Sequence, residues 1–433
     1  MKKLITTTLL SLAIFNISPA FADNTTKDNK KDTKKTDTSN KDESDDYDDE
    51  DSNDKNAKKS KAKIGARNLN AFSRKAYTSG TAIGGYFDTE FIAPMGGGGN
   101  ASFNQHRLIT QLSSLYNDRI FFNSEIEFEY GATVNKEIND GELKVEQATL
   151  DYKIEDWLVL RGGALLIPVG RLNVLHDSDF RDTTARPLFN RTIIPTTWTE
   201  TGVGFYGTMY PNDDIEMNYE AYVTQGLTDN IQDGKGLAET APSLKSDNNA
   251  GKALSTRIGI SPFIGLDMGL GGYYSTFDDK DQKALGMVVG DFKYTLGAFE
   301  LLGEGGFNVL SPADKKDSNG KVVDTLKGNM WGYYLEAHYN FFPEFMKFSF
   351  LGREFNNPSF TLFSRVDQVD TDTSRLNEND RTQLCFGFNY RPITSVVFKF
   401  EYQVNIENEA IIKGDPTKEK NNNQFLASIA AGF

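Results

Sequence analysis

The chain has 433 residues, 38% hydrophobic and 25% charged, with a formal net charge of −14, so it offers no basic surface for nucleic acid. Outside the N-terminus no apolar run approaches the ~20 residues that a membrane helix needs. That excludes helical spans but not a barrel, because alternating strands average to moderate hydropathy.

The first 22 residues read as a secretory signal peptide. Lys2 and Lys3 supply the basic start, and Leu4 to Ile17 an apolar core too short to cross a bilayer. Ala20-Phe21-Ala22 is a small-x-small cleavage site, so the mature chain is expected to begin at Asp23. The one cysteine, Cys385, allows no intrachain disulfide. Residues 23–63 are Lys, Asp, Asn, Thr and Ser with almost no apolar side chains. They cannot bury enough surface to offset chain entropy, and the expectation is a disordered, charged periplasmic tail. It reads either as a solvated spacer or as a tether to the cell wall or a partner. Residues 64–80 are a transition segment.

From Thr81 to Phe433 the period becomes two. The clearest strand is Phe121 to Tyr130, with Phe122, Ile126, Phe128 and Tyr130 on one face and Asn123, Glu125, Glu127 and Glu129 on the other. Three carboxylates on one buried face would be prohibitive without partners. The acidic face therefore looks outward from a soluble sheet or inward to a watery lumen. Ile215, Met217, Tyr219, Ala221 and Val223 oppose Glu216, Asn218, Glu220 and Thr224 in the same way. So do Val396, Phe398, Phe400 and Tyr402 against Lys399, Glu401, Gln403 and Asn405.

Connection lengths separate the two choices. Short turns, such as Asn117-Asp118-Arg119, Glu155-Asp156 and Ser261-Pro262-Phe263, alternate with long polar segments, such as Pro168 to Thr199, Gly226 to Lys252 and Ser311 to Lys327. Short turns at one end and long loops at the other mark an outer-membrane barrel. The fold class is therefore all-β: a transmembrane antiparallel β-barrel in outer-membrane lipid. Sixteen strands are expected, near 81–93, 102–116, 120–134, 142–154, 157–167, 199–210, 214–225, 252–261, 265–277, 282–296, 299–310, 328–341, 359–370, 381–391, 395–406 and 423–433. Phe342 to Pro358 reads as a long periplasmic connection with room for a short helix; eighteen strands is the alternative. The final strand places Phe425, Ala427, Ile429, Ala431 and Phe433 on one face and ends in an aromatic residue.

The segment between Pro168 and Thr199 carries no strand period and holds Arg171, His176, Asp177, Asp179, Arg181, Asp182, Arg186 and Arg191. A long polar loop between short hairpins is usually functional. It is expected to fold into the barrel mouth and narrow it. Its arginines either set a transverse field that sorts permeating ions or pair with the loop aspartates and rivet the loop to the wall. Arg161, just below the loop, and Lys399 and Glu401 on their strand join Glu125, Glu127 and Glu129 as lumen-facing candidates, the glutamates as a solvated wall. His106, His176 and His338 sit in separate segments without metal-ligand spacing, and no nucleophile elbow, phosphate loop or zinc motif appears. Neither catalysis, cofactor nor metal is expected.

Within 145–207, Ala148-Thr149-Leu150-Asp151-Tyr152, Pro168-Val169-Gly170-Arg171-Leu172-Asn173, His176-Asp177, Arg186-Pro187 and Ile194-Pro195-Thr196-Thr197-Trp198 resemble the phosphate-selective porin O and P family of Gram-negative outer membranes. The resemblance implies a sixteen-stranded, trimeric, water-filled channel. The arginine ladders and lysine clusters by which founding members draw phosphate inward are not matched, since many inner positions here are Glu or Asp. The functional expectation is a porin for passive diffusion of small hydrophilic solutes and ions. The alternatives are a structural barrel that tethers the envelope through residues 23–63, and a barrel enzyme, for which no convincing set of residues is found.

Overall fold

The computed structural model describes residues 80–96, 99–132, 141–232, 234–245, 247–317, 319–375, 380–407 and 422–433. The leader, the charged tail and the transition segment up to residue 79 lie outside the described residues, as do 133–140 and 408–421 of the long loops.

Eighteen strands follow in chain order: β1 (Gly80–Pro94), β2 (Ser102–Asn117), β3 (Ile120–Glu129), β4 (Glu142–Glu155), β5 (Leu158–Leu166), β6 (Thr199–Met209), β7 (Glu216–Thr224), β8 (Ala253–Phe263), β9 (Leu266–Thr276), β10 (Ala284–Leu296), β11 (Phe299–Leu310), β12 (Ala313–Lys316), β13 (Val322–Leu326), β14 (Met330–Phe341), β15 (Ser359–Asp370), β16 (Asp380–Ile393), β17 (Val396–Glu407) and β18 (Gln424–Gly432). Sixteen of them form a closed antiparallel barrel, each paired with its chain neighbours except that β12 and β13 stand aside as a hairpin and β11 pairs with β14. Closure is made by β1 against β18, from Tyr86 opposite Gly432 to Pro94 opposite Gln424. A closed ladder leaves no strand edge, which is what a sheet needs in lipid.

Side-chain alternation orients the wall. Ile126, Val203, Val223, Leu254, Ile258, Leu270 and Phe400 are exposed on the outside, while Glu125, Glu127, Arg257, Lys399 and Glu401 are buried on the inside. An apolar exterior facing solvent on every strand would aggregate in water; facing acyl chains it is at rest. Aromatic contacts such as Phe299–Tyr339 and Tyr390–Phe398 lie toward the short-turn end, where an interfacial girdle belongs.

Phe342 to Pro358 forms no strand and contains one 3-10 turn, Glu344–Met346, so the wall count is sixteen. β3 stops at Glu129, short of the expected 134, because Tyr130 (φ 47°) and Gly131 (φ 76°) turn the chain out of the ladder. The Ser311 to Lys327 loop also departs from a plain polar connection. It contains the β12–β13 hairpin, which buries Ala313 and Leu326 inside the barrel.

Those two residues belong to an apolar cluster within the lumen. Ile167, Leu188, Phe189, Ile193, Ile194 and Trp198 enter it from the 167–198 loop; Leu227, Ile231 and Leu237 come from the loop after β7. The wall contributes Tyr273, Leu285, Met287, Val289, Leu310, Met330 and Val369. Much of the outer half of the barrel along β9 to β15 is therefore dry and packed. This corrects the expectation of a lumen watered all round. The cause is visible on β10, whose inward positions Leu285, Met287 and Val289 are apolar, so water has nothing to bind there.

Candidate functional site

The 167–198 loop leaves the top of β5 and returns at β6, and its two feet are joined by Asn173. Its amide donates to the carbonyls of Ile167 (2.8 Å) and Trp198 (3.1 Å) and its oxygen accepts the Trp198 N–H (2.8 Å). A Cβ on Gly170 (φ 77°) would stand 2.8 Å from a Glu304 oxygen and 2.9 Å from Ile194, so the loop meets β11 at a place only glycine fits. Two short helices, α1 (Arg171–Val174) and α2 (Leu188–Thr192), punctuate it.

A loop without strand partners must find donors for its carbonyls and acceptors for its amides elsewhere. The opposite wall supplies them. Glu304 on β11 accepts the Leu172 N–H and the Asn190 amide (3.0 Å). Asp367 on β15 accepts the Leu188 N–H at 3.0 Å, and Arg365, which holds Asp367 at 2.7 Å, donates to the Ala185 carbonyl. Glu401 accepts the Thr184 N–H at 2.7 Å. Lys399 donates to the Ser178 (2.5 Å) and Thr183 (3.3 Å) carbonyls. Asn308 donates to the Ile193 carbonyl. The loop thus crosses the inside of the barrel and is fastened to β11 and β15 to β17.

Its tip is fastened hardest at Asp182. His338 Nδ1 lies 3.0 Å from one carboxylate oxygen, and Arg391 (3.0 Å) and Asn389 (3.1 Å) donate to the other. Burial pushes the Asp182 carboxyl up, but the hydrogen bond from His338 and the Arg391 charge outweigh it and hold it well below the usual range. Asp179 has no such partner on its carboxylate. Burial and the neighbouring Asp177 push it up to about 6, although its carbonyl accepts from Arg391 at 2.7 Å.

The four loop arginines divide into two pairs. Arg181 donates to the His176 and Thr184 carbonyls and to Ser178 Oγ; Arg186 donates to the Thr196 carbonyl (2.9 Å) and Thr197 Oγ1 (3.0 Å). Both are buried and knit the loop to itself, not to its aspartates. The rivets to the wall are instead the wall's own Arg365, Arg391 and Lys399. Arg171 and Arg191 make no side-chain hydrogen bond or ion pair among the described residues, and Arg191 is exposed within the barrel. Arg171 lines a cavity of about 220 Å³ beneath the loop with Phe180 and Asp182, facing Lys293, Glu300, Glu336 and His338 on β10, β11 and β14.

On the near wall, Arg161 is bidentate to Asp151 (2.7 Å and 2.7 Å) and lies 4.3 Å over the Tyr206 ring. Glu127 and Glu129 pair with Arg107 at 2.8 and 3.1 Å. Glu125 and Glu127 are 5% and 3% exposed, so they are not the solvated wall their alternation implied; the loop covers them at His176 and Asp177. His176 Nε2 is 3.0 Å from Glu146 on β4, with Asp177 3.8 Å away. Sequence reading did not single out Glu146, Glu304, Arg365, Asp367, Asn389 or Arg391. The inward parity that marked Lys399 and Glu401 would have found them, but parity does not say which inward residue meets a loop.

No family model matches the chain. A protein of Aquifex aeolicus (strain VF5), described as uncharacterized, is 28% identical over 376 residues, 82% of this chain and 80% of that one. Among solved structures, OmpF of Salmonella typhi in complex with daunomycin matches at a TM-score of 0.55 and 11% identity, over 82% of this chain and 97% of that chain. In-vitro folded OmpT of Vibrio cholerae, an outer membrane protein in trimer form, matches at 0.51 and 10% identity, over 82% and 100%. At such identities the likeness is one of fold, a barrel of the outer-membrane porin type.

Proposed function

We propose that this chain is an outer-membrane porin that passes small hydrophilic solutes and ions by passive diffusion, with the 167–198 loop as its constriction. The observation that carries the reading is the loop's course: it crosses the interior of a closed barrel and is hydrogen-bonded to the far wall. A wall that is greasy outside and charged inside is the form that lets water cross a bilayer beside protein. Because part of the lumen is dry, the remaining bore is narrow. The same reading places the chain in outer-membrane lipid as a homotrimer, exported by its leader with the tail in the periplasm. In this reading its loop motifs resemble those of the phosphate-selective porin O and P family, without the arginine ladders and lysine clusters by which that family draws phosphate inward.

The test is a planar bilayer recording of the folded full-length chain. Ohmic steps of low conductance are expected, and a folded barrel that carries no current overturns the reading. One observation favours a second reading, a structural barrel that ties the envelope together through residues 23–63: the apolar cluster closes part of the interior. Electrical silence, together with loss of cell-wall attachment on deleting that tail, would select it.

A further inference from the structure

Glu125 on β3, Glu146 on β4 and His176 on the inward loop come from three separate elements. Their ligand atoms all lie within 4.8 Å of one another, and all three side chains are buried. His176 Nδ1 is 3.1 Å from the Asn173 carbonyl. A carbonyl only accepts, so Nδ1 carries a hydrogen and donates it. The other nitrogen, Nε2, is thereby turned toward the carboxylates, 3.0 Å from Glu146 Oε2. This is the arrangement by which proteins orient a ligating imidazole, one nitrogen tied to backbone and the other presented to a metal.

A second observation points the same way. Glu125 Oε1 has no hydrogen-bond partner among the described residues, although its side chain is only 5% exposed. Buried oxygens are rarely left so. Glu127 and Asp177 border the group, as do the guanidiniums of Arg107 and Arg186. The carboxylates outnumber the two guanidiniums, one of which, Arg107, is shared with Glu129 as well, so the group has an excess of acid that a cation offsets.

We propose that Glu125, Glu146 and His176 bind a first-row divalent transition cation of the Zn²⁺ class, which staples the inward loop to the β3–β4 wall. One imidazole with two carboxylates suits such an ion; Ca²⁺ and Mg²⁺ take oxygen sets. Ligands about 2.0–2.2 Å from a tetrahedral ion stand roughly 3.4 Å apart, so on binding the wider separations in the group shorten while the 3.0 Å His176–Glu146 pair opens slightly. The inference holds whether or not the barrel conducts.

The full-length chain, folded in detergent and stripped with a chelator, is titrated with Co²⁺ and then Zn²⁺. Expected are one Co²⁺ per chain with visible ligand-field absorption, its displacement by Zn²⁺, and a higher unfolding temperature of the Zn²⁺ form. His176→Gln and Glu146→Gln should each weaken binding about 10–100-fold and abolish the thermal gain. Should His176→Gln fail to fold, Glu125→Gln, which leaves the histidine bonds in place, carries the comparison. Absence of Co²⁺ binding up to millimolar concentration, or equal binding by wild type and folded variants, overturns the proposal; the second result puts the ion elsewhere on this acidic chain.

Discussion

Excising residues 176–186 and bridging the gap with a short Gly-Ser link is expected to raise single-channel conductance several-fold while the barrel stays folded. The loop has two differently held halves. Its stalk buries Leu188, Phe189, Ile193, Ile194 and Trp198 in the apolar cluster. At ~1.5–3 kcal/mol each, their burial contributes on the order of 10 kcal/mol before ordering costs. The tip is held by polar ties to Lys399, Glu401, Asn389, Arg391 and His338. Each such tie nets only about 1–3 kcal/mol. Removing the tip therefore leaves the stalk docked. Leu175 and Pro187 line one cavity, and the Gly-Ser link is made long enough to join them across it. A milder lesion, Asp182→Ala, removes the carboxylate that His338 and Arg391 share, leaving each only its other partners. Breaking a buried ionic tie costs about 3–5 kcal/mol, enough to free the tip, and the current should then flicker between levels. An excision variant that conducts as wild type does would show that something other than this loop sets the bore.

The wall was legible in the sequence and the interior was only half so. β3 and β17 announce themselves because each alternates cleanly, Phe and Ile against Glu, or Phe and Tyr against Lys and Glu. Turn length then fixed which face was inner. β10 carries no such contrast: Leu285, Met287 and Val289 point inward while Val288 and two glycines point out. Period alone cannot tell a dry interior from a lipid face when both are apolar. The loop was legible as a loop because it breaks the period for some thirty residues. Where its arginines would reach was not, because Arg181 and Arg186 bind backbone carbonyls, and every residue has one of those. The same limit hid the grouping of Glu125, Glu146 and His176. Spacing rules find ligands on one helix or hairpin; here Glu146 and His176, 30 positions apart, are brought together by the loop's descent into the barrel.

That division of the arginines yields the second large effect. Charge selectivity in a narrow bore follows the fixed charges that remain free to act on a passing ion. Arg171 and Arg191 are such charges; Arg181 and Arg186 are spent on loop carbonyls and hydroxyls. The double variant Arg171→Ala, Arg191→Ala should move the zero-current potential toward cation preference by roughly 10–20 mV, against an ideal limit of about 59 mV for a tenfold salt gradient. Its unfolding temperature should stay close to wild type, because neither guanidinium closes a hydrogen bond. Arg181→Ala with Arg186→Ala should do the reverse. Selectivity changes little, but buried acceptors at His176, Thr184 and Thr196 lose their donors, at about 1–3 kcal/mol apiece. The two measurements together separate field from fastening. If the first pair alters stability and leaves the potential where it was, the free arginines are structural after all. The charges that line the same cavity as Arg171, namely Lys293, Glu300 and Glu336, would then be the next to test.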